Sequence, residues 1–243
     1  MIDAVYPLNN SSKFKDDFEL RYSLRSLMLQ DWIGNVFLVG HCPEWSKDVI
    51  HIPCGDIYRA CKDASIINKI LLACSNRQLD DPFLVNSDDQ YFLRPICVED
   101  LEPMLEDPSP FAEYKFKAGI NSWHRRVVET VQWCAKHGYP DWIFQSHAPY
   151  LVNKEDYATA MSKISWGKGN GFTTHVYLNL TQKEHPAKEP KGRTIRLKGR
   201  VQAIDIDKQV ERATFLNHND EGLTPNVKAF LEKRFPTKSK WEK

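Results

Sequence analysis

The stretch Asp81-Pro-Phe-Leu-Val-Asn-Ser-Asp-Asp-Gln-Tyr-Phe-Leu93 decides how the chain is read. Phe83, Leu84 and Val85 form a short apolar run of β-formers, as expected of a buried strand. The run stops on four polar residues, Asn86, Ser87, Asp88 and Asp89, and aromatic residues resume at Tyr91 and Phe92. Two adjacent carboxylates at the carboxyl end of a buried strand repel each other and lose water. A divalent cation removes that cost, and Mg²⁺ or Mn²⁺ prefers carboxylate oxygens while leaving positions open for phosphate oxygens. Taken alone, the same residues would also serve as a turn that caps a helix. The segments on either side favour the metal.

Working back from this stretch, Asp63 to Cys74 carries Ile66, Ile67, Ile70 and Leu71 and predicts an amphipathic helix, with Lys62, Asn68 and Lys69 along its polar side. Val49 to Ile52 and Asn35 to Gly40 predict strands, the second ended by glycine. Asp16 onward predicts a helix through Phe18, Leu20, Leu24, Leu27 and Met28, with acidic residues in its first turn. Arg21 and Arg25 share one face of it, and on spacing alone they read as a solvated face paired with Asp17 or Glu19. Ile2 to Leu8 predicts the first strand, with Asp3 near its start and Asn9, Asn10, Ser11 and Ser12 as the loop beyond. Strand and helix thus alternate up to residue 93. That pattern predicts a mostly parallel sheet flanked by helices, with ligands beyond the carboxyl ends of the strands.

After Pro95 the regular alternation is lost. Tyr114 to Lys117 predicts a strand, Trp123 to His137 a helix, and Asp141 to Tyr150 an extended segment that ends in polar groups near His147. A lone histidine is more often structural than a ligand. Asn153 to Ile164 predicts a further helix. Gly167-Lys-Gly-Asn-Gly171 is a loop where backbone can approach a ligand, but it lacks the spacing of a phosphate loop. Residues 183–200 are basic, with Arg193, Arg196, Lys198 and Arg200 in the last third; they read as a solvated hairpin or as an arm for phosphates. Ala213 to Asp220 is another apolar stub that runs into polar groups, and Asn226 to Arg234 predicts a short helix.

The chain has 243 residues, 42% hydrophobic and 12% aromatic, with a formal net charge of +1. That size fits one α/β domain, expected as a first half at 1–95 and a closing, acceptor-side half at 96–243. The balanced charge gives no global field for nucleic acid or membrane, and no apolar run is long enough to span a bilayer. The six cysteines show no zinc or redox spacing. Free thiols and a cytoplasmic location are therefore expected, and the amino terminus lacks the features of a signal peptide.

Several blocks resemble a known family. Phe18-Glu-Leu-Arg-Tyr-Ser-Leu-Arg-Ser26 resembles the second signature block of the Stealth family of bacterial sugar-phosphate transferases. Val85-Asn-Ser-Asp-Asp-Gln-Tyr-Phe92 is similar to that family's aspartate pair and to the metal-binding aspartates of GT-A-fold glycosyltransferases. His147-Ala-Pro-Tyr-Leu-Val-Asn-Lys154, Leu216-Asn-His-Asn-Asp220 and Phe235-Pro-Thr-Lys-Ser-Lys-Trp-Glu242 resemble the later blocks, in the same order. The chain departs from the family at Asp3-Ala-Val-Tyr-Pro-Leu8, where a strand ending in Trp-Val-Asp-Gly is usual, and at Asn-Ser-Asp-Asp, where the family has Asn-Asp-Asp. Compact chains of this pattern are also similar to phage and prophage glycosyltransferases, some of which glycosylate hydroxymethylated bases in DNA.

The resemblance implies a GT-A-like, Rossmann-like fold with a smaller C-terminal extension, and a nucleotide-sugar donor such as a UDP-sugar. It implies Mn²⁺ or Mg²⁺ on Asp88 and Asp89, with His147 as a third metal or diphosphate contact. Arg21, Arg25, Asn68, Lys69 and Lys168 become candidates for the donor's phosphates, and Asp3 for its nucleoside end. Asp141 and Asp220 are candidate bases for the acceptor hydroxyl. Three readings follow: sugar transfer to DNA or a surface glycan, Stealth-type sugar-phosphate transfer, and a non-catalytic nucleic-acid-binding module. In the DNA readings Arg193, Arg196, Lys198 and Arg200 meet double-stranded DNA.

Overall fold

Ile2–Leu8 (β1) is apolar apart from Asp3 because it is buried on both faces. The computed structural model describes residues 1–9, 16–56, 61–107, 122–168, 171–198 and 206–243. After β1 come Phe18–Leu27 (α1), Ile33–Gly40 (β2), Ile50–Ile52 (β3), Lys62–Cys74 (α2), Phe83–Val85 (β4) and Gln90–Phe92 (β5). Leu105–Asp107 (β6), Ser122–Lys136 (α3), Ile143–Phe144 (β7), Tyr150–Val152 (β8), Lys154–Ser162 (α4) and Thr173–Thr181 (α5) follow. Thr194–Leu197 (β9), Ile206–Val210 (α6), Phe215–His218 (β10) and Pro225–Arg234 (α7) complete the series.

The main sheet has the order β3-β2-β1-β4-β8. Its first four strands run parallel, and β8 closes the edge antiparallel to β4. Alternation along the strands sorts side chains to two cores. Ala4, Tyr6, Leu8, Val36, Leu38 and Leu84 face Leu20, Leu24 and Leu27 of α1. Val5, Phe37, Val39, Phe83 and Val85 face Ile67 and Ile70 of α2. A second sheet, β5-β10-β9, stands beside the first, with β10 antiparallel to β5 and parallel to β9. Tyr91, Leu197 and Leu216 on one face of it pack against Val227, Phe230 and Leu231 of α7 and against Phe18 and Tyr22 of α1. The chain leaves β4 in the first sheet and enters β5 in the second within four residues, 86–89. The aspartate pair forms that joint.

The predicted strands and helices up to residue 93 are found, with β2 starting at Ile33 and β3 at Ile50. The basic segment contains strand β9 of the second sheet, where the sequence suggested a hairpin or an arm. Helix α5, among the most buried elements, was not anticipated. The strand expected at Tyr114 to Lys117 lies outside the described residues. The six cysteines are unpaired, and no helix among the described residues is long and apolar enough to cross a membrane.

Arg21 and Arg25 fix the carboxyl-terminal segment. Both oxygens of Glu242 accept from Arg25, at 2.8 and 2.9 Å from Nε and Nη2, and Arg21 Nη1 donates to Oε2 at 3.3 Å. Ser239 N donates to the same carboxylate at 2.9 Å, and these donors hold its pKa below the ordinary range against the effect of burial. The two arginines therefore do not form a solvated face. Breaking one partner of a buried pair strands the other. Glu242→Gln is expected to cost about 3 kcal/mol, read as a lower urea midpoint with an unchanged slope.

Candidate functional site

The turn between the two sheets is held from below by a buried hydrogen-bond chain. Asn86 Nδ2 donates to Tyr6 Oη at 2.8 Å, and Tyr6 Oη lies 3.1 Å from Ser23 Oγ. Ser23 Oγ in turn donates to Gln90 O at 2.7 Å. Each hydroxyl has one proton, so the chain runs in a single direction from Asn86 to the Gln90 carbonyl. Burial pushes the Tyr6 phenol up to about 12, so it stays a donor at neutral pH. From the other side, Ser87 N donates to Gln90 Oε1 at 3.1 Å and Asn217 Nδ2 donates to Asp89 O at 3.0 Å.

Above this turn lies a cleft of about 370 Å³. It sits at the carboxyl ends of β1, β2 and β4, where Pro7, Leu8, His41 and Ser87 line it, as open α/β sheets place their ligands. The first turn of α1 contributes Asp17 and Glu19, the start of α2 contributes Lys62, and the segment after β10 contributes Asp220. Asp88 and Asp89 complete the wall. Asp17 has a left-handed backbone, φ 49°; its carboxylate lies 3.2 Å from His41 Nε2 and accepts from Trp45 Nε1 at 3.4 Å. Gly40 also has positive φ, 105°, and a Cβ there would fall 2.3 Å from Leu8 O. Only glycine fits where β2 turns away beside β1.

The carboxylates of the cleft are mutually destabilised. Asp88 is pushed up to about 6, first by burial and then by the charge of Asp89, against the pull of Lys62. Asp89 is raised as well, mainly by burial. Glu19 is pushed up to about 8 by burial and by Asp88, Asp89 and Asp220. Such a set is short of positive charge, since Lys62 is the one cation that opposes the rise in all three. Hard oxygen donors in this condition suit Mg²⁺ or Mn²⁺. Among the described residues no three His, Cys, Asp or Glu groups enclose an ion-sized point. The donor set therefore fits an ion held by one or two carboxylates, with its other positions filled by water and phosphate.

Other residues singled out in the sequence lie elsewhere. Asp3 sits at the amino end of β1, roughly 13 Å along the strand from Pro7, and accepts from Asn35 N at 2.7 Å and Asp80 N at 3.0 Å. It ties strand ends together on the edge away from the cleft. Lys69 is fully buried and donates to Leu8 O at 2.6 Å, Asn9 Oδ1 at 3.2 Å and Asp56 Oδ1, so it braces the cleft from behind. Asn68 meets Cys54 Sγ at 3.4 Å. Arg21 and Arg25 are committed to Glu242. Asp141 precedes β7 and does not line the cleft.

His147 also stands outside the cleft lining, and its backbone N–H donates to Gln145 Oε1 at 3.0 Å. Burial, and then the charges of Arg196 and Lys198, push its pKa down to about 3. Arg193 meets the Asp100 carbonyl and lies 3.7 Å from Glu189, while Arg196 pairs with Glu106 at 3.0 Å. Lys198 is exposed just beyond β9. Lys168 ends a short 3-10 turn, and Arg200 lies outside the described residues. The titratable cleft residues not singled out as site residues are Glu19, Lys62, Asp17 and His41. In the sequence Glu19 reads as a helix start and as a partner for Arg21 or Arg25, neither of which points to the cleft.

The architecture, a mostly parallel sheet with a carboxylate turn at its carboxyl edge, is the mixed α/β fold of GT-A-type glycosyltransferases. Among solved structures it matches the galactosyltransferase LgtC in complex with donor and acceptor sugar analogs, at a TM-score of 0.55 and 10% identity over 98% of each chain. It also matches an active-site mutant of LgtC, at 0.54 and 9% over 98% of each chain. At such identity the likeness is one of fold. No protein-family model matches the chain, and no curated protein matches it in sequence. The Stealth and phage-type likenesses thus rest on the sequence blocks alone.

The shifted groups set a pH dependence. A carboxylate whose pKa is raised on folding costs stability above the folded value, and the cost is relieved as pH falls through it. Glu19, near 8 when folded against an ordinary 4.5, gives the metal-free chain more stability as pH drops from about 8. Below 6.5 an opposing contribution sets in, because His147 and His175, held near 3 by burial, take up protons only when unfolded. His218 is lowered too and acts in the same sense. Glu19 and Asp88 still favour the folded chain there and offset part of this. Melting temperature in EDTA is expected to peak near pH 6.5, and Mn²⁺ should flatten the alkaline limb. An alkaline limb indifferent to Mn²⁺ would unseat the ion from these carboxylates.

Proposed function

We propose that this protein is a metal-dependent glycosyltransferase that moves a sugar from a nucleotide-sugar donor, of the UDP-sugar type, to an acceptor hydroxyl. The observation that carries the reading is the pair Asp88 and Asp89, set with Lys62 in a cleft at the carboxyl ends of parallel strands. The GT-A-type fold shared with LgtC supports it. Asp88 and Asp89 would hold Mn²⁺ or Mg²⁺, which when bound neutralises the charge that develops on a departing diphosphate. Lys62 extends positive charge toward the same phosphate oxygens. The Tyr6–Ser23–Asn86 chain keeps the turn from relaxing when the carboxylates repel. Lys69, by holding Leu8 and Asp56, fixes the back wall.

Of the two aspartates considered for the acceptor proton, Asp220 lines the cleft and Asp141 does not. Asp220 is therefore assigned that role, within reach of a hydroxyl presented beside the donor. The acceptor classes differ in what they need from residues 193–198. In the DNA reading these cations meet phosphates, yet Arg193 and Arg196 are already matched with Glu189 and Glu106. Lys183, Lys188, Lys191 and Lys198 are the exposed cations in the described part of residues 183–200. With those two arginines matched, an uncharged glycan acceptor is favoured over DNA. Stealth-type transfer differs in the bond broken, since the phosphate then stays with the product and a nucleoside monophosphate leaves.

Incubation with nucleotide sugars, Mn²⁺ and a panel of glycan and hydroxymethylated-DNA acceptors, read by mass, separates these outcomes. Release of a nucleoside diphosphate with a hexose or pentose added to the acceptor is the expected result. Asp89→Asn should lose at least 10³-fold in turnover, on the order of removing a main electrostatic stabiliser, with a melting temperature no lower than wild type. Donor plus Mn²⁺ should raise the melting temperature more than either alone. A variant that retains full transfer would remove the metal from the mechanism. No shift with any donor would favour a non-catalytic binding module.

A further inference from the structure

Strand β10 ends on a histidine that the protein encloses. Tyr91 of β5 and His218 of β10 are both buried, with their rings 5.6 Å apart and inclined by 26°. Tyr91 Oη lies 2.9 Å from His218 Nε2. The other ring nitrogen, Nδ1, lies 3.2 Å from the carbonyl oxygen of Asn219 and 3.7 Å from Glu19 Oε1 in the first turn of α1. A buried imidazole costs free energy unless its nitrogens are matched, so this setting calls for a specific set of partners.

Chemistry fixes which nitrogen carries the proton. The Asn219 carbonyl can only accept, so the proton resides on Nδ1. Burial disfavours a charged ring, and the bare Nε2 of the neutral ring accepts from the Tyr91 hydroxyl. The single N–H then faces two pieces of the cleft wall. Asn219 opens the turn that carries Asp220: Gly222 N donates to Asn219 O at 2.8 Å and to Asn219 Oδ1 at 2.9 Å. Asn219 N donates to Leu197 O at 3.2 Å, and a Cβ on Gly222 would fall 2.2 Å from that same oxygen, so the turn is closed against the end of β9. Glu19 and Asp220, from opposite ends of the chain, both line the cleft, and His218 stands at the root of both.

We propose that His218 is a positioning residue for the acceptor side of the cleft: its Nδ1–H sets the turn that carries Asp220 and the seat of Glu19, and Tyr91 holds the ring from behind. The proposal rests on the assignment of Asp220 to the acceptor proton. Tyr91 follows the aspartate pair by two positions, so the strand that leaves the cation turn also carries the hydroxyl that backs the acceptor side. Misplacing a reacting group by about 1 Å costs up to about a hundredfold in rate.

Two amide side chains separate the nitrogens of the ring. Asparagine sets its NH₂ where histidine has Nδ1, and glutamine sets it where histidine has Nε2. His218→Asn therefore keeps the donor toward Asn219 and Glu19, whereas His218→Gln keeps only a partner for Tyr91. With Mn²⁺ and the panel of nucleotide sugars and acceptors described above, His218→Gln is expected to lower kcat by about tenfold or more, with the donor KM unchanged. His218→Asn should retain most of the wild-type kcat. Independently of activity, the nitrogen–proton correlation spectrum of the wild type should show the His218 proton on Nδ1. A proton on Nε2, or equal kcat in the Asn and Gln variants, would reduce His218 to packing and overturn the proposal. Should either variant fail to fold, Tyr91→Phe decides the matter: a lowered kcat at unchanged donor KM supports the role, and the wild-type kcat overturns it. A wild type that transfers to no acceptor overturns the transferase reading and the role with it. An active wild type whose two variants match overturns the positioning role alone.

Discussion

Like charge gathered at the end of a buried strand is the constraint around which the chain is arranged. Glu19, Asp88, Asp89 and Asp220 reach one cleft from α1, from the turn after β4 and from the segment after β10. In that setting burial and mutual repulsion both favour protonation, so the cluster works against folding wherever it is ionised. What keeps it in place is not local. Tyr6 in the central strand, Ser23 in the first helix and Asn86 at the strand end form a closed line beneath the turn. Lys69 ties the ends of β1 and the segment after β3 on the far wall. The scaffold is over-determined where the site is strained, which is the condition for such strain to persist.

Much of this frame could be read from residue order. Strands β1, β2 and β4 are apolar runs, interrupted only near their amino ends by Asp3 in β1 and Asn35 in β2, because both faces are covered, and that pattern survives without knowledge of the partners. Helices α1 and α2 announce themselves by period, and the aspartate pair by chemical incongruity next to Phe83-Leu-Val85. Where reading failed, the determining partner was far away in sequence. Arg21 and Arg25 look like a solvated face until Glu242, more than two hundred positions later, is seen to take both. Asp3 carries the right residue type at the wrong end of its strand, since a β-strand has two edges and composition does not say which one faces ligand. His147 stands out for its place beside a strand end, yet it does not line the cleft.

The basic segment shows a further limit. Counting charge over residues 183–200 suggests a phosphate-binding arm, but charge becomes available to a partner only when it is not already matched. Glu189 and Glu106 match Arg193 and Arg196, and neither acid stands out by period or motif. Thr194 to Leu197 also had a structural task, as the outer strand paired with β10. Helix α5 went unread for the opposite reason. Its residues Thr173 to Thr181 are nearly all buried, so no polar face alternates with an apolar one to mark a helical period.

Residues 86–89 also carry the chain directly from β4 in one sheet to β5 in the other. A tilt of the smaller sheet would change the path of this turn and with it the setting of the two aspartates. An ion gripped there would splint that turn, and pivoting of the smaller sheet would loosen the grip. Capture of a charged ligand and rigidity of the body are in this way one mechanical variable, set by the length of a four-residue joint.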